Sequence, residues 1–155
     1  MTNLEKKVDA LVRLVLSGSE AEANNIRWEL RDLMAEATEQ RAEGLESKIR
    51  RVLLEIGILD LHVGHSYLVS ALNLAVEDPD MVKAITTKLY PAIAAMHLAT
   101  PSRVERAIRH AIEAAWDRGD LDVLDRYFGG TVSVHKGKPT NAEFIARIAN
   151  VIREI

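Results

Sequence analysis

Thr100-Pro101-Ser102-Arg103-Val104-Glu105-Arg106-Ala107-Ile108-Arg109-His110 decides the fold, because one short helix carries two incompatible sides. Val104, Ala107, Ile108, Ala111, Ile112, Ala115 and Trp116 recur at steps of three and four residues, which on a 3.6-residue helix makes one apolar stripe. Arg103, Arg106 and His110 project from another side, flanked by Ser102, Glu105 and Arg109. The stripe seats the helix on a core and the cationic row meets solvent. A DNA recognition helix needs this division, since the major groove admits one α-helix, Arg donates twice to guanine O6 and N7, and Glu accepts from cytosine N4. A charged, solvated helix face is the competing reading. Ser102 is the expected N-cap, with Glu105 three residues on as in a capping box.

The residues before it supply the partner helix. Residues 80–89 and 91–98 read as two helices, the second with Pro91 near its start. A turn of Ala99-Thr100-Pro101 then leads into residues 102–118. Short helix, turn and second helix with outward polar residues make a helix-turn-helix.

Ser102-Arg103-Val104-Glu105-Arg106-Ala107-Ile108-Arg109-His110-Ala111-Ile112-Glu113, followed by Ala115-Trp116 and Arg118-Gly119, resembles the C-terminal effector-domain family of the sporulation master response regulator, stage 0 sporulation protein A. Gly64, Tyr67-Leu68 and Leu89-Tyr90-Pro91 extend the similarity upstream. Phe128-Gly129, Thr131-Val132-Ser133, Lys138-Pro139-Thr140-Asn141 and Glu143-Phe144-Ile145-Ala146 extend it downstream, so that it runs from about residue 47 to the C-terminus. The resemblance implies a recognition helix in the major groove of a TGTCGAA-like box. It places Arg103, Glu105 and Arg106 at the bases, and Ser102, Arg109 and His110 nearer the DNA backbone, where they position rather than specify. RNA polymerase is a further partner to expect of such a regulator.

In that family a receiver precedes the effector domain, an alternating strand and helix unit with an acidic phosphoacceptor pocket, and residues 1–44 do not read as one. Leu4, Val8, Leu11, Val12 and Val15 are spaced for an amphipathic helix ending at Ser17-Gly18, and Ser19 can cap the next. Ile26, Leu30, Leu33, Met34 and Ala37 give that second helix its apolar side. The two form an αα-hairpin, and Asp9 and Asp32 read as surface charges. Control by phosphorylation of a receiver in this chain is therefore not expected. The apolar sides carrying Leu11, Val15, Ile26, Leu30 and Leu33 need a partner surface, because helices of this length are marginal alone. A second chain is favoured, which makes a homodimer the expected assembly, symmetric by default.

The expected architecture is all-α, a hairpin over residues 1–44 followed by an effector domain over 45–155. Its helices lie near 46–56, 65–77, 80–89, 91–98, 102–118, 121–127 and 141–153, with breaks at Gly57, Asp78-Pro79 and Gly119. The chain holds 155 residues, 48% of them apolar, enough for a sizeable core. No apolar run approaches the roughly 18 residues of a membrane span, and Met-Thr-Asn-Leu-Glu-Lys-Lys is not a signal peptide, so a cytoplasmic location is expected. Without cysteine there is neither a disulfide framework nor thiolate chemistry.

Net charge speaks against a nucleic-acid partner and its distribution speaks for one. Twenty Lys and Arg stand against 23 Asp and Glu, for −3 overall, where a DNA binder is often strongly basic. Within residues 81–110 five cations face one anion, so the positive charge gathers where the groove contact is expected. Lys138, in a Lys136-Gly137-Lys138-Pro139 loop, is a further candidate for the DNA backbone, though its lysines read equally well as solvated.

No catalytic, metal or cofactor site emerges. His62 and His65 are three apart, but no Cys or third convergent ligand accompanies them. Gly129-Gly130 is a turn without P-loop or dinucleotide context, and no Ser, His and Asp set can be placed from spacing. An enzyme is not expected. Trp116 is expected in the core and Trp28 in the hairpin or its interface. The rival function is an interaction protein that pairs through the hairpin, modulates another regulator and no longer reads DNA. Arg103, Glu105 and Arg106 argue against it, since a domain freed from DNA has no physical need for that trio.

Overall fold

The structure is a computed structural model, and it describes residues 1–129 and 137–155. Among these the chain is all α-helical, without strands. The elements are α1 (Asn3–Leu16), α2 (Glu20–Ile56), α3 (Val63–Glu77), α4 (Asp80–Lys83), a π-helical turn (Ile85–Leu89), α5 (Tyr90–His97), α6 (Pro101–Arg118), α7 (Leu121–Phe128) and α8 (Asn141–Glu154). Gly130, Lys136 and the Thr131-Val132-Ser133 word lie outside the described residues.

The chain divides into two compact units, Met1–Leu45 and Glu46–Ile155. In the first, Thr2 and Glu5 form a capping box at the start of α1, and Ser19 caps α2 by accepting from the Glu22 amide at 3.2 Å. Residues 17–19 turn the chain, and Arg13 of α1 meets Glu29 of α2 at 2.8 Å. The two helices close through small and apolar side chains, with Ala10 buried on α1 and Ala23, Ile26 and Leu33 on α2. Leu4, Val8, Leu11, Val12 and Val15 do not take part: the stripe read from the sequence is exposed. Its spacing identifies an apolar side but not the neighbour of that side. Trp28 is likewise exposed, with the Arg31 guanidinium 4.6 Å above its ring, rather than packed in the hairpin.

The break expected between 42 and 46 is absent, and α2 runs 37 residues without interruption. Gly44 is the sole poor helix former there. It costs about 1 kcal/mol against Ala, too little to end a helix whose neighbours Ala42, Glu43, Leu45 and Glu46 all favour it.

The second unit is built around α3, which packs on both α6 and α8. Ile49, Leu53 and Ile56 from the last turns of α2, Leu68 and Leu72 of α3, Ile93 of α5, Ile108 and Ile112 of α6, and Phe144, Ile145 and Ile148 of α8 are fully buried. Trp116 is half-buried in an aromatic cluster, its ring 4.9 Å from Phe128 and 6.3 Å from Phe144. Arg153 of α8 donates to the Ala75 and Val76 carbonyls at the end of α3, and Arg147 to Tyr127 at the end of α7. Each thereby satisfies carbonyls that the helix itself leaves open.

The seat of α6 is fixed at Gly64. Gly64 lies so close to it that a Cβ there would stand 2.4 Å from the Ala107 carbonyl oxygen and 2.8 Å from the Ala111 Cβ. The α3 and α6 backbones therefore touch at a point where only glycine fits. His65, next in sequence, is buried, and desolvation, with the nearby Arg50 charge, pushes its pKa below the usual imidazole value. It is a neutral core residue.

Candidate nucleic-acid interface

Helices α5 and α6 are the two arms of the helix-turn-helix. Within α5, Ile93 and Ala94 are buried, and His97 anchors the end of the helix to α3. Its Nε2 lies 2.7 Å from Ser70 Oγ and its ring meets Tyr67 edge-on at 5.0 Å. The turn is Leu98-Ala99-Thr100, one residue earlier than the spacing indicated. Leu98 takes the left-handed conformation (φ 52°) that glycine usually supplies at a helix C-terminus.

The N-cap of α6 is Thr100, not Ser102: its Oγ1 accepts from the Arg103 amide at 3.2 Å. Pro101 occupies the first helical position, where its missing N–H costs nothing and its fixed φ already suits the helix. The expected Ser102–Glu105 capping box is therefore replaced by a cap two residues earlier, and Ser102 is left as an exposed side chain in the first turn.

Val104, Ile108, Ala111, Ile112 and Ala115 of α6 are buried, and its opposite side divides into two shoulders. On one, Ser102, Arg103, Arg106 and His110 line an open cleft with Val63 and Thr100. All four are exposed, and the Arg103 and Arg106 guanidinium groups have no hydrogen bond or ion pair among the described residues. On the other shoulder Glu105 and Arg109 join across one turn at 3.0 Å and line a second cleft with Thr86, Tyr90, Lys138 and Thr140.

Asn141 ties that second cleft together. Its Nδ2 donates to Tyr90 Oη at 2.9 Å and to the Glu105 carbonyl at 3.1 Å, joining the starts of α8 and α5 to α6. Burial raises the Tyr90 phenol pKa, so the hydroxyl stays neutral. Lys138 reaches Asp117 of α6 at 3.2 Å. The candidate residues thus lie on one helix and its immediate border, but not in one row: Glu105 is on the shoulder opposite Arg103 and Arg106.

Thr100 and Asn141 are the positioning residues that sequence spacing missed. Thr100 precedes a proline at the first helical position, a signal that favours it as the cap over Ser102. Nothing in spacing gives the Asn141 clamp, which exists only once three helix starts converge. The π-helical turn is the other unforeseen element. The Ala84 carbonyl accepts from both Lys88 and Leu89 amides, at 2.8 and 3.3 Å, and Thr86, Thr87 and Lys88 are left exposed beside the interface. Such turns recur at functional sites.

A helix, a three-residue turn and a second helix with a buried back and a cationic front define a helix-turn-helix DNA-binding domain. The family described as "Sporulation initiation factor Spo0A C terminal" matches residues 49–152, two thirds of the chain. The chain belongs to this family, one of DNA-binding transcription-factor domains rather than enzymes.

Proposed function

We propose that the chain is a sequence-specific regulator of transcription whose α6 enters the major groove of double-stranded DNA. The observation that carries this reading is the pair of guanidinium groups, Arg103 and Arg106, unpartnered among the described residues and set on the exposed side of a helix whose other side is locked into the core. Both are available for bidentate donation to guanine. Glu105 accepts from cytosine once it releases Arg109. That exchange is cheap, because an exposed pair one helical turn apart stabilises by only about 0.3–0.5 kcal/mol. Arg109 is then free for a phosphate. Ser102, His110 and Lys138 border the same surface and act on the backbone, Lys138 by leaving Asp117.

A TGTCGAA-like box is the target this reading favours, with RNA polymerase as a further partner and a cytoplasmic location. Residues 46–155 serve as the reading domain. Residues 1–45, a helical pair without the alternating strands of a receiver, serve as a pairing or regulatory segment that does not depend on aspartyl phosphorylation. Two copies present two recognition helices and offset the low charge of each. Selection from random duplexes with the full chain tests the proposal. A recovered motif related to TGTCGAA, and the spacing of its copies, is expected. Recovery without enrichment of any motif overturns sequence-specific reading and favours a protein that acts on another regulator.

A further inference from the structure

The outward side of α1 is apolar along its length. Leu4, Val8, Leu11 and Val15 recur at steps of four, three and four residues and are 70, 52, 52 and 84% exposed. Val12 and Leu16 widen the stripe and are also exposed. Scattered exposed leucines need no explanation, but a contiguous patch of this kind on a short helix marks a contact surface. The hairpin closes on a different side of α1, through Ala10, so the stripe is not part of its own closure.

The composition of the stripe selects a second copy of this chain as its occupant. The spacing is that of a heptad seam with β-branched Val8 and Val15 at one core position and Leu4 and Leu11 at the other, the combination that favours two strands. The seam positions themselves are uncharged: Lys7 and Glu5 flank them, the Glu5 carboxylate is held by the Thr2 amide, and Arg13 lies on the far side, held by Asp9 and Glu29. The six apolar side chains expose on the order of 600 Å² per copy, so a self-complementary contact that covers the whole stripe reaches the roughly 1,200 Å² at which specific interfaces begin. A lipid surface fits less well, since α1 has three cations against two anions rather than a basic face.

We propose that the outward face of α1 is an isologous seam joining two copies of this chain. This rests on the paired reading given above and names the face that makes the pair. Sedimentation velocity of the full chain at tens of micromolar is expected to show a dimer. A Leu11→Glu, Val15→Glu double variant is expected to weaken the dimer at least tenfold with unchanged far-ultraviolet circular dichroism, and Lys6→Glu, on the charged side, to leave it intact. Because the chain has no cysteine, Leu11→Cys supplies a second readout. A short bismaleimide should link it into a covalent dimer and should fail with Lys6→Cys. A monomeric wild type, a dimer that survives the double variant, or equal linking at both cysteines overturns the proposal. So does a wild type that is monomeric in solution and sediments with anionic phosphatidylserine vesicles. Binding of the double variant to a duplex with a single TGTCGAA-like box is expected to persist, which separates failure of the seam from failure of the DNA reading.

Discussion

Arg103 and Arg106 differ from Arg109 in what holds them before any ligand arrives, and the difference predicts different losses. Neither of the first two has a partner among the described residues, whereas Arg109 is engaged by Glu105. Replacing Arg103 or Arg106 with Ala is expected to cost about 1–3 kcal/mol on a cognate duplex and to relax preference at one base position. Arg109→Ala is expected to weaken all sequences about equally and to lower the salt slope by about one. Anisotropy titrations on single-base variants across salt concentrations separate the two patterns. If Arg103→Ala and Arg106→Ala both bind as wild type does, the recognition assignment is wrong. His65 carries a second prediction of a different kind. Its folded pKa is depressed by burial, so the unfolded chain binds the extra proton. The contribution of the neutral ring is therefore complete above the ordinary imidazole value of about 6.5 and is lost as pH falls through and below it. Urea midpoints between pH 7.5 and 5.5 should decline for wild type and decline less for His65→Gln.

Among the elements, α2 shows what an isolated glycine does and does not do. Gly44 lies inside the helix with open space where a Cβ would stand, so Gly44→Ala is expected to add about 0.5–1 kcal/mol of helix stability. A higher helical content on heating would show it, and a loss of helicity would mean that the glycine has another role. The same helix marks one limit of reading by sequence, where a hairpin over residues 1–44 was legible but not that its second helix continues to Ile56. The back of α6 was fully legible, because Val104, Ile108, Ala111 and Ile112 obey helical spacing and a helix with one apolar side has one way to bury it. Its cap was legible only in part, because Thr100 and Ser102 are both hydroxyl residues beside the same proline, and the preference of proline for the first helical position, which favours Thr100, competes with the capping-box spacing of Ser102 and Glu105. The α1 stripe was legible as an apolar side in need of a partner surface, but spacing alone does not show that the hairpin closes through Ala10 instead. The π-helical turn was not legible at all, since Ile85-Thr86-Thr87-Lys88-Leu89 satisfies an α-helical pattern equally well and the register shift follows from the neighbours it must join.

For the molecule as a whole, the constraint is charge. On the proposed reading, a chain of net charge −3 that meets DNA through one helix and its border neutralises few phosphates. With about three contacts per copy, the logarithm of the binding constant should fall against the logarithm of salt with a slope of about −3 on a single box, and about twice that on two boxes bound together. Filter-binding between 50 and 200 mM salt measures both. A slope as steep on one box as on two would place additional phosphate contacts outside the surface described. Under the proposed paired reading, affinity depends on concentration and on box spacing more than on charge.

The bare contact of Gly64 with Ala107 and Ala111 has a last consequence. Since α6 is held from behind by this backbone contact and by the buried side chains of Val104, Ile108 and Ile112, its position is indifferent to what stands on its outward side. Positions 102, 103, 106 and 110 can change identity without disturbing the seat, whereas a single methyl group added at 64 moves the whole helix. If α6 reads DNA as proposed, new operator preferences are reachable by exchanging a few outward residues on an unaltered chassis. The domain combines a back with almost no tolerance and a front that is free to be rewritten.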